Sequence, residues 1–386
     1  MASTADDVVE LLSRLVARAS VDPPPGAPAE PPFGEGALAG LLTEILSPWG
    51  ARTETVEFAP GRFNFLARFD GADPGRTLML EAHADTVAVE GMAVPPFDPV
   101  VRDGRLYGRG SCDCKGAMAA MLLGIRTVLD ERGRLPATLR FVSTGDEEVG
   151  GTGARRLVAE GLHVDAAIVG EPTGLAIVHA ARGGYRCRIV TKGRAAHSSD
   201  PSQGVSAIRK MARVVQGLEG PFAAELARRG HPLLGAPTVS VGVIRGGQQV
   251  NVVPDRCEIE VDRRTLPGEI RDGVARQLRR HLDAIGAADP QFAYDLEDLA
   301  WYPAFVEDRE APVARLAAEA CRAVLGRAEF KAVPWTANSG IFKEAGIPCV
   351  LFGPGSSGQA HTADESVELD QVAKAVEVYA EIIRRF

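Results

Sequence analysis

Positive charge is in short supply: 51 acidic against 43 basic residues leave a formal charge of −8, and no block of Lys or Arg stands out. An anionic partner, nucleic acid or acidic membrane, is therefore disfavoured. No apolar run approaches the ~20 residues that span a bilayer, so no membrane partner is expected. The opening MASTADDVVELLSRLVARAS carries Asp6, Asp7 and Glu10 where a secretory signal needs positive charge and then an apolar stretch, which predicts a cytoplasmic protein. The six cysteines, at 112, 114, 187, 257, 321 and 349, make no disulfide framework, so reduced thiols are expected. Cys112 and Cys114 form a close pair but lack the second pair of a structural zinc site. Internal repeats and low-complexity tracts are also missing.

What is there is an ordinary globular composition, 45% hydrophobic and 24% charged, in a chain of 386 residues that exceeds one compact core and predicts two domains. Thr4 and Asp7 read as a helix-capping pair ahead of Val8, Leu11, Leu12, Leu15 and Val16 at helical spacing. Residues 21 to 36, VDPPPGAPAEPPFGEG, read as a surface loop. Four short apolar runs, TLMLEAH, TLRFVSTGDEE, AAIVGEPT and CVLFGPG, suit strands buried on both faces of a mostly parallel sheet. The helical segments GAMAAMLLGIRTVLDERG and GTGARRLVAEGL lie between them, which is the alternation of an α/β domain. From 182 to 298 the texture changes to alternating strands and amphipathic helices. This predicts an α+β unit over 182–298 inserted into a first domain made of 1–181 and 299–386.

In an open parallel sheet, functional groups gather at the carboxyl ends of the strands. The runs end in His83 and Asp85, in Asp146, Glu147 and Glu148, in Glu171, and in His361, while GRGSCDCKG presents Asp113 before a helix starting near Gly116. Singly, each of these has a structural or surface explanation. Together, two imidazoles and several carboxylates are the donor types that hold zinc, cobalt or manganese. Two such ions about 3.5 to 4 Å apart would clamp a water and polarise a carbonyl. Glu147 and Glu148 are adjacent, so their side chains point apart and can take different tasks.

The motifs HAD at 83–85, GRGSCDCKG at 108–116, GDEEVGG at 145–151, GEPT at 170–173, GRAAHSS at 193–199, NVVPD at 251–255, DRRTLPGE at 262–269 and AHTADE at 360–365 run in one order along the chain. In that order they resemble the M20 family of metallopeptidases and deacylases, whose members include acetylornithine deacetylase and succinyl-diaminopimelate desuccinylase. The resemblance implies a zinc-peptidase-like catalytic domain with an inserted ferredoxin-like lid and dimerisation domain. It also implies two divalent ions, zinc first, with cobalt or manganese as alternatives. By it Asp113 bridges both ions, His83 and Glu171 complete one position, and Glu148 and His361 complete the other. Glu147 is the general base, Asp85 orients His83, and the peptide after Asp113 is cis. His197 donates to the oxyanion from a partner subunit, which implies a homodimer. Arg264 and Asn251 hold the substrate, with Thr336 as a further candidate; Arg263, on the opposite strand face, is expected to be solvated. Ser206, Asn338 and Cys114 depart from the family pattern at positions that are not ligands. The implied reaction is hydrolysis of an N-acyl amino acid, as in acetylornithine deacetylase. A dipeptidase or carboxypeptidase acting on a short peptide is the alternative, and a non-catalytic metal-binding homologue a further one.

Overall fold

The computed structural model describes residues 5–24, 29–30 and 32–386, in two compact units. One comprises Met1–His179, Glu307–Lys331 and Ile341–Phe386; the other comprises Ala180–Val306 and Ala332–Gly340. No helix among the described residues is long and apolar enough to cross a membrane.

The first unit is built on a mixed sheet. Six of its strands are β1 (Arg52–Ala59), β2 (Arg62–Phe69), β3 (Asp73–Glu81), β4 (Ala137–Ser143), β5 (Ala166–Gly170) and β6 (Cys349–Phe352). They lie side by side in the order β1-β2-β4-β3-β5-β6. The pairs β4·β3, β3·β5 and β5·β6 are parallel, while the β1–β2 hairpin joins antiparallel at one side. Burial explains the division. Every residue of β5 and β6 is buried, as strands covered on both faces must be, whereas no residue of β1 is.

The covering helices are α1 (Ala5–Val16), α2 (Gly36–Leu46), α3 (Gly116–Arg132), α4 (Thr152–Ala159), α5 (Pro312–Leu325) and α6 (Leu369–Arg385). α1 buries Val8, Leu11, Leu12, Leu15 and Val16, the face its spacing predicts; Thr4 of the expected cap lies outside the described residues. α3 is buried almost all round and packs tightly on α6. A Cβ added at Gly124 would stand 3.0 Å from Tyr379 Cβ and 3.1 Å from the Ala380 nitrogen. Tyr379 in turn donates its hydroxyl to the Phe352 carbonyl at 2.6 Å, tying α6 to the end of β6.

The stretch 21–36 departs from the surface loop expected of it. Val21 is buried and bridged to Thr86 and Phe33, and Glu35 is buried against Arg62. An ion pair and two backbone bridges draw these parts inward despite the Pro-rich composition; residues 25–28 and 31 lie outside the described set.

The second unit holds an antiparallel sheet ordered Thr238–Gly246, Arg256–Thr265, Gly183–Lys192, Ala293–Tyr302. Helices Ala207–Gly217 and Arg271–Gly286 fall between its strands in the chain, giving the βαββαβ succession of a ferredoxin-like unit. Strand Arg256–Thr265 alternates strictly, sending Cys257, Ile259 and Val261 into the core. Ser206 caps the first helix by accepting the Arg209 N–H at 3.2 Å, a task its hydroxyl performs as well as an Asn amide would.

Candidate metal centre

Four parallel strands deliver the candidate donors at their carboxyl ends: His83 follows β3, Glu147 and Glu148 follow β4, Glu171 follows β5, and His361 lies in the loop after β6. Asp113 sits in the segment before α3, where the Asp113–Cys114 peptide is cis. Thus residues far apart in sequence converge because parallel strands end on one edge of the sheet.

Asp113 is the hub. Its Oδ1 lies 3.0 Å from His83 Nε2 and its Oδ2 lies 3.4 Å from His361 Nε2, so each carboxylate oxygen faces a different imidazole. His361 Nε2 also stands 2.9 Å from Glu148 Oε1. Donor atoms of His83, Asp113 and Glu148 all fall within 4.8 Å of one another. Glu147 and Glu171 are 9% and 6% exposed, buried within reach of the charges of His83 and Asp113.

The electrostatics are those of a carboxylate cluster in search of a cation. Burial, reinforced by Asp113 and by Glu147, holds the Glu171 carboxyl well above its usual range. Burial likewise raises Glu147, with His83 opposing and Glu148, Asp85 and Asp113 adding to the shift. Burial would depress His83, yet Cys114 and Asp113 hold it well above its ordinary value. Hydrogen bonds to Asp113 and Glu148 push His361 up to about 10. Asp113 goes the other way, since the two imidazoles outweigh its burial and lower it.

This donor set fits divalent ions. His83 Nδ1 lies 2.9 Å from the Asp85 carbonyl oxygen and can donate to it, leaving the Nε2 lone pair for a metal. The nitrogen and carboxylate donors suit zinc. Asp85 serves His83 through its backbone: its carboxylate Oδ1 is 3.8 Å from Nδ1, while Oδ2 accepts the Glu148 N–H at 3.0 Å. Asp85 therefore steadies the Glu148 loop as well as the His83 ring. Cys112 and Cys114 are buried thiols directed at the Ser356 and His83 carbonyls.

Two non-glycine residues here have left-handed backbone, Asp146 at φ 65° and His361 at φ 62°. Asp146 Oδ2 accepts both the backbone N–H and the hydroxyl of Thr152, which holds the turn presenting Glu147.

The remaining candidates lie in the second unit. His197 is exposed, with Nδ1 2.7 Å from Ser199 Oγ, on a two-residue strand paired with Val252–Val253. Ser198 N–H donates to the Asn251 carbonyl at 3.0 Å, which brings His197 and Asn251 together. Arg264 is partly exposed, its Nε 2.8 Å from Asp262. It pairs in register with Gly184, and a Cβ added at Gly184 would meet Thr336 at 3.4 Å, so Arg264 and Thr336 flank one glycine. Arg263 is not solvated. It is 1% exposed, bonded to Glu269 Oε1 at 2.9 Å and donating to the Arg264 carbonyl. It follows the inward phase of Cys257, Ile259 and Val261, and Glu269 balances its charge.

Sequence reasoning assigned no role to several charged residues around the centre. Glu365 and Arg109 form a buried ion pair at 2.5 Å, and Asp22, Glu35 and Arg62 form another group. Buried Lys115 donates to the Arg18 carbonyl at 2.7 Å, and burial pulls its amine down to about 7. Glu365, Arg109 and Lys115 stand inside recognisable motifs, but a motif does not say which charge meets which.

The model of the peptidase family M20/M25/M40 matches residues 79–385. The chain is 33% identical over 329 residues to an acetylornithine deacetylase of Myxococcus xanthus, covering 84% of each. It is 26% identical over 401 aligned positions to an N-formyl-4-amino-5-aminomethyl-2-methylpyrimidine deformylase of Halalkalibacterium halodurans, covering 96% of this chain and 92% of that one. Among solved structures, an M20 family metallo-carboxypeptidase from Sulfolobus solfataricus superposes with a TM-score of 0.81 at 20% identity, over 98% of both chains. With its motif order, its sheet and these likenesses taken together, the chain belongs to the M20/M25/M40 peptidase family and is a metal-dependent amidohydrolase.

Proposed function

We propose that this chain removes the acyl group from an N-acylated amino acid by hydrolysing its amide bond, as the name of its acetylornithine deacetylase relatives describes for them. The observation that carries the reading is Asp113, whose two oxygens face His83 on one side and His361 on the other. His83 and Glu171 would hold one ion, Glu148 and His361 a second, with Asp113 shared between them and zinc the metal expected. When bound, the ions would supply Lewis acidity toward the substrate carbonyl and a lowered pKa for the attacking water.

The chain's own residues do the rest. Glu147, buried beside Glu148 at the end of β4, takes a proton from the water and returns it to the departing amine. Asp85 keeps the Glu148 loop and the His83 ring in place. Arg264 would offer a planar fork to the substrate carboxylate, and Asn251 and Thr336 would be further substrate-binding residues. His197 donates a hydrogen bond to the oxyanion from a second subunit. Support for the homodimer is the open edge strand Thr238–Gly246, with Ile244 59% exposed and nearby Val250 fully exposed. The inserted unit would act as lid and dimerisation domain, and the enzyme would work in the cytoplasm.

The test is a panel of N-acetyl, N-succinyl and N-formyl amino acids beside dipeptides, assayed with zinc, cobalt or manganese. N-acetyl amino acids should turn over fastest. Preference for dipeptides would move the chain to the peptidase side of the family, and a protein that binds two ions but cleaves nothing would overturn the proposal.

A further inference from the structure

Beneath the candidate centre lies a carboxylate that the mechanism above does not use. Glu365 is 1% exposed, and its Oε1 accepts the backbone N–H of Cys112 at 3.0 Å and of Asp113 at 3.1 Å. Its Oε2 accepts Arg109 Nη1 at 2.5 Å, and its carbonyl accepts the Gly108 N–H at 3.1 Å. Arg109 is itself 3% exposed and donates Nε to the Ala88 carbonyl at 3.1 Å. One residue further on, Ser366 pairs in register with Tyr107. The segment from Tyr107 to Asp113 is thus fastened along its length to residues 365 and 366.

That fastening joins the loops carrying two candidate donors. His361 lies four residues before Glu365, and the stretch between is held by the Ala93 N–H on the Ala363 carbonyl at 2.7 Å. A carboxylate that accepts two neighbouring backbone N–H groups fixes the tilt of both peptide planes, and with them the direction of the Asp113 side chain. Asp113 must aim one oxygen at His83 and the other at His361, so a small rotation of its backbone would spoil both contacts.

We infer that Glu365, with Arg109 as its counter-charge, is a positioning residue that registers the Asp113 loop against the His361 loop, so that a divalent cation meets the donors of both at once. The inference rests on the metal-centre reading above. Glu365 reaches the centre through its hydrogen bonds to the backbone of Cys112 and Asp113 and through the field of its charge on Asp113.

Full-length protein, stripped of metal and titrated with zinc alone against a chromophoric chelator, tests it. In Glu365→Gln the amide must turn its NH2 toward either the two backbone N–H groups or Arg109, leaving a donor facing a donor. Zinc affinity should fall about 10- to 100-fold, the usual consequence of losing a group that orients ligands. The visible spectrum of the cobalt-loaded protein should change as its ligand geometry alters. Glu365→Asp, which keeps the charge on a shorter arm, should lose less and serves alone if the Gln variant fails to fold. Glu307→Gln is the control: Glu307 is 5% exposed and pairs with Lys343 at 2.8 Å and the Cys349 N–H at 3.1 Å. It should lower the unfolding midpoint and leave zinc affinity unchanged. Wild-type zinc affinity and cobalt spectrum in the Glu365 variants would overturn the inference, as would an equal loss in Glu307→Gln. A wild-type protein that takes up no zinc would instead sink the metal-centre reading, and this inference with it.

Discussion

Asp22 offers a direct test of how charge is balanced behind the centre. Arg62 donates Nε and Nη2 to Glu35 Oε1 at 2.8 and 2.5 Å, and the same Nη2 lies 2.5 Å from Asp22 Oδ1. Asp146 Oδ1 stands 3.9 Å from its Nη1, and the charge of Asp85 also reaches it. One guanidinium therefore faces four carboxyl groups, more negative charge than it can neutralise. Asp22 Oδ2 and Asp85 Oδ1 are both buried with no donor among the described residues, and one proton on Asp22 would serve both. Burial, then Asp85, push Asp22 from its ordinary 3.8 up to about 10, with Arg62 opposing. The folded chain accordingly keeps a proton that the unfolded chain releases. This contribution to stability is full below the unfolded value of 3.8 and is lost as pH rises toward 10. One such group costs about 1.4 kcal/mol per pH unit, or about 4 kcal/mol between pH 5 and pH 8. Asp22→Asn mimics the protonated acid, since its amide can donate to Asp85 and its oxygen can accept from Arg62. Relative to wild type, the variant should gain that same ~4 kcal/mol across the range, measured by urea unfolding of chelator-treated protein at pH 5, 6, 7 and 8. Parallel pH profiles for the two proteins would mean that Asp22 is ionised in the fold as an ordinary partner of Arg62, and the reasoning would fail.

Glu147→Gln should cut turnover about 10²- to 10⁴-fold while leaving zinc content at the wild-type level by elemental analysis; loss of zinc too would make Glu147 a ligand instead of the base. His197→Ala and Glu147→Gln should each be nearly inactive alone, yet mixed dimers should recover up to about a quarter of wild-type turnover if His197 serves a neighbour's site. No recovery after subunit exchange would remove the shared-site model. Gly124→Val should destabilise the first unit by about 1 to 3 kcal/mol through overpacking between α3 and α6, read as a lower urea midpoint. An unchanged midpoint would contradict the 3.0 Å approach of Tyr379 to that position.

Much of this architecture was legible in the sequence because it rests on local signals. Buried strands announce themselves as unbroken apolar runs, α1 by the spacing from Val8 to Val16, and the donors by their place just after each run. Arg263 shows where that logic stops. Strand alternation correctly puts it opposite Arg264, but the inward phase is apolar at Cys257, Ile259 and Val261, so a charged residue there read as solvated. Glu269, six residues on, makes its burial tolerable. The Pro-rich stretch misled in the same way: composition suggested a surface loop, while Arg62, 27 residues beyond Glu35, drew it inward.

The sequence by itself determined the chemical inventory: two imidazoles and their carboxylate neighbours, the proposed base Glu147 among them, each at the carboxyl end of a strand or ahead of a helix. Strand order and periodicity suffice for that, because parallel strands must end on a common edge. Only the tertiary structure decided which oxygen of Asp113 faces which histidine, and that Asp85 reaches His83 through its carbonyl. It likewise decided that Glu365 holds the Asp113 backbone from 252 residues away. Those choices belong to hydrogen bonds and ion pairs formed between distant segments. Their partners are selected by which buried charge most needs another, a matter of geometry that no local pattern records.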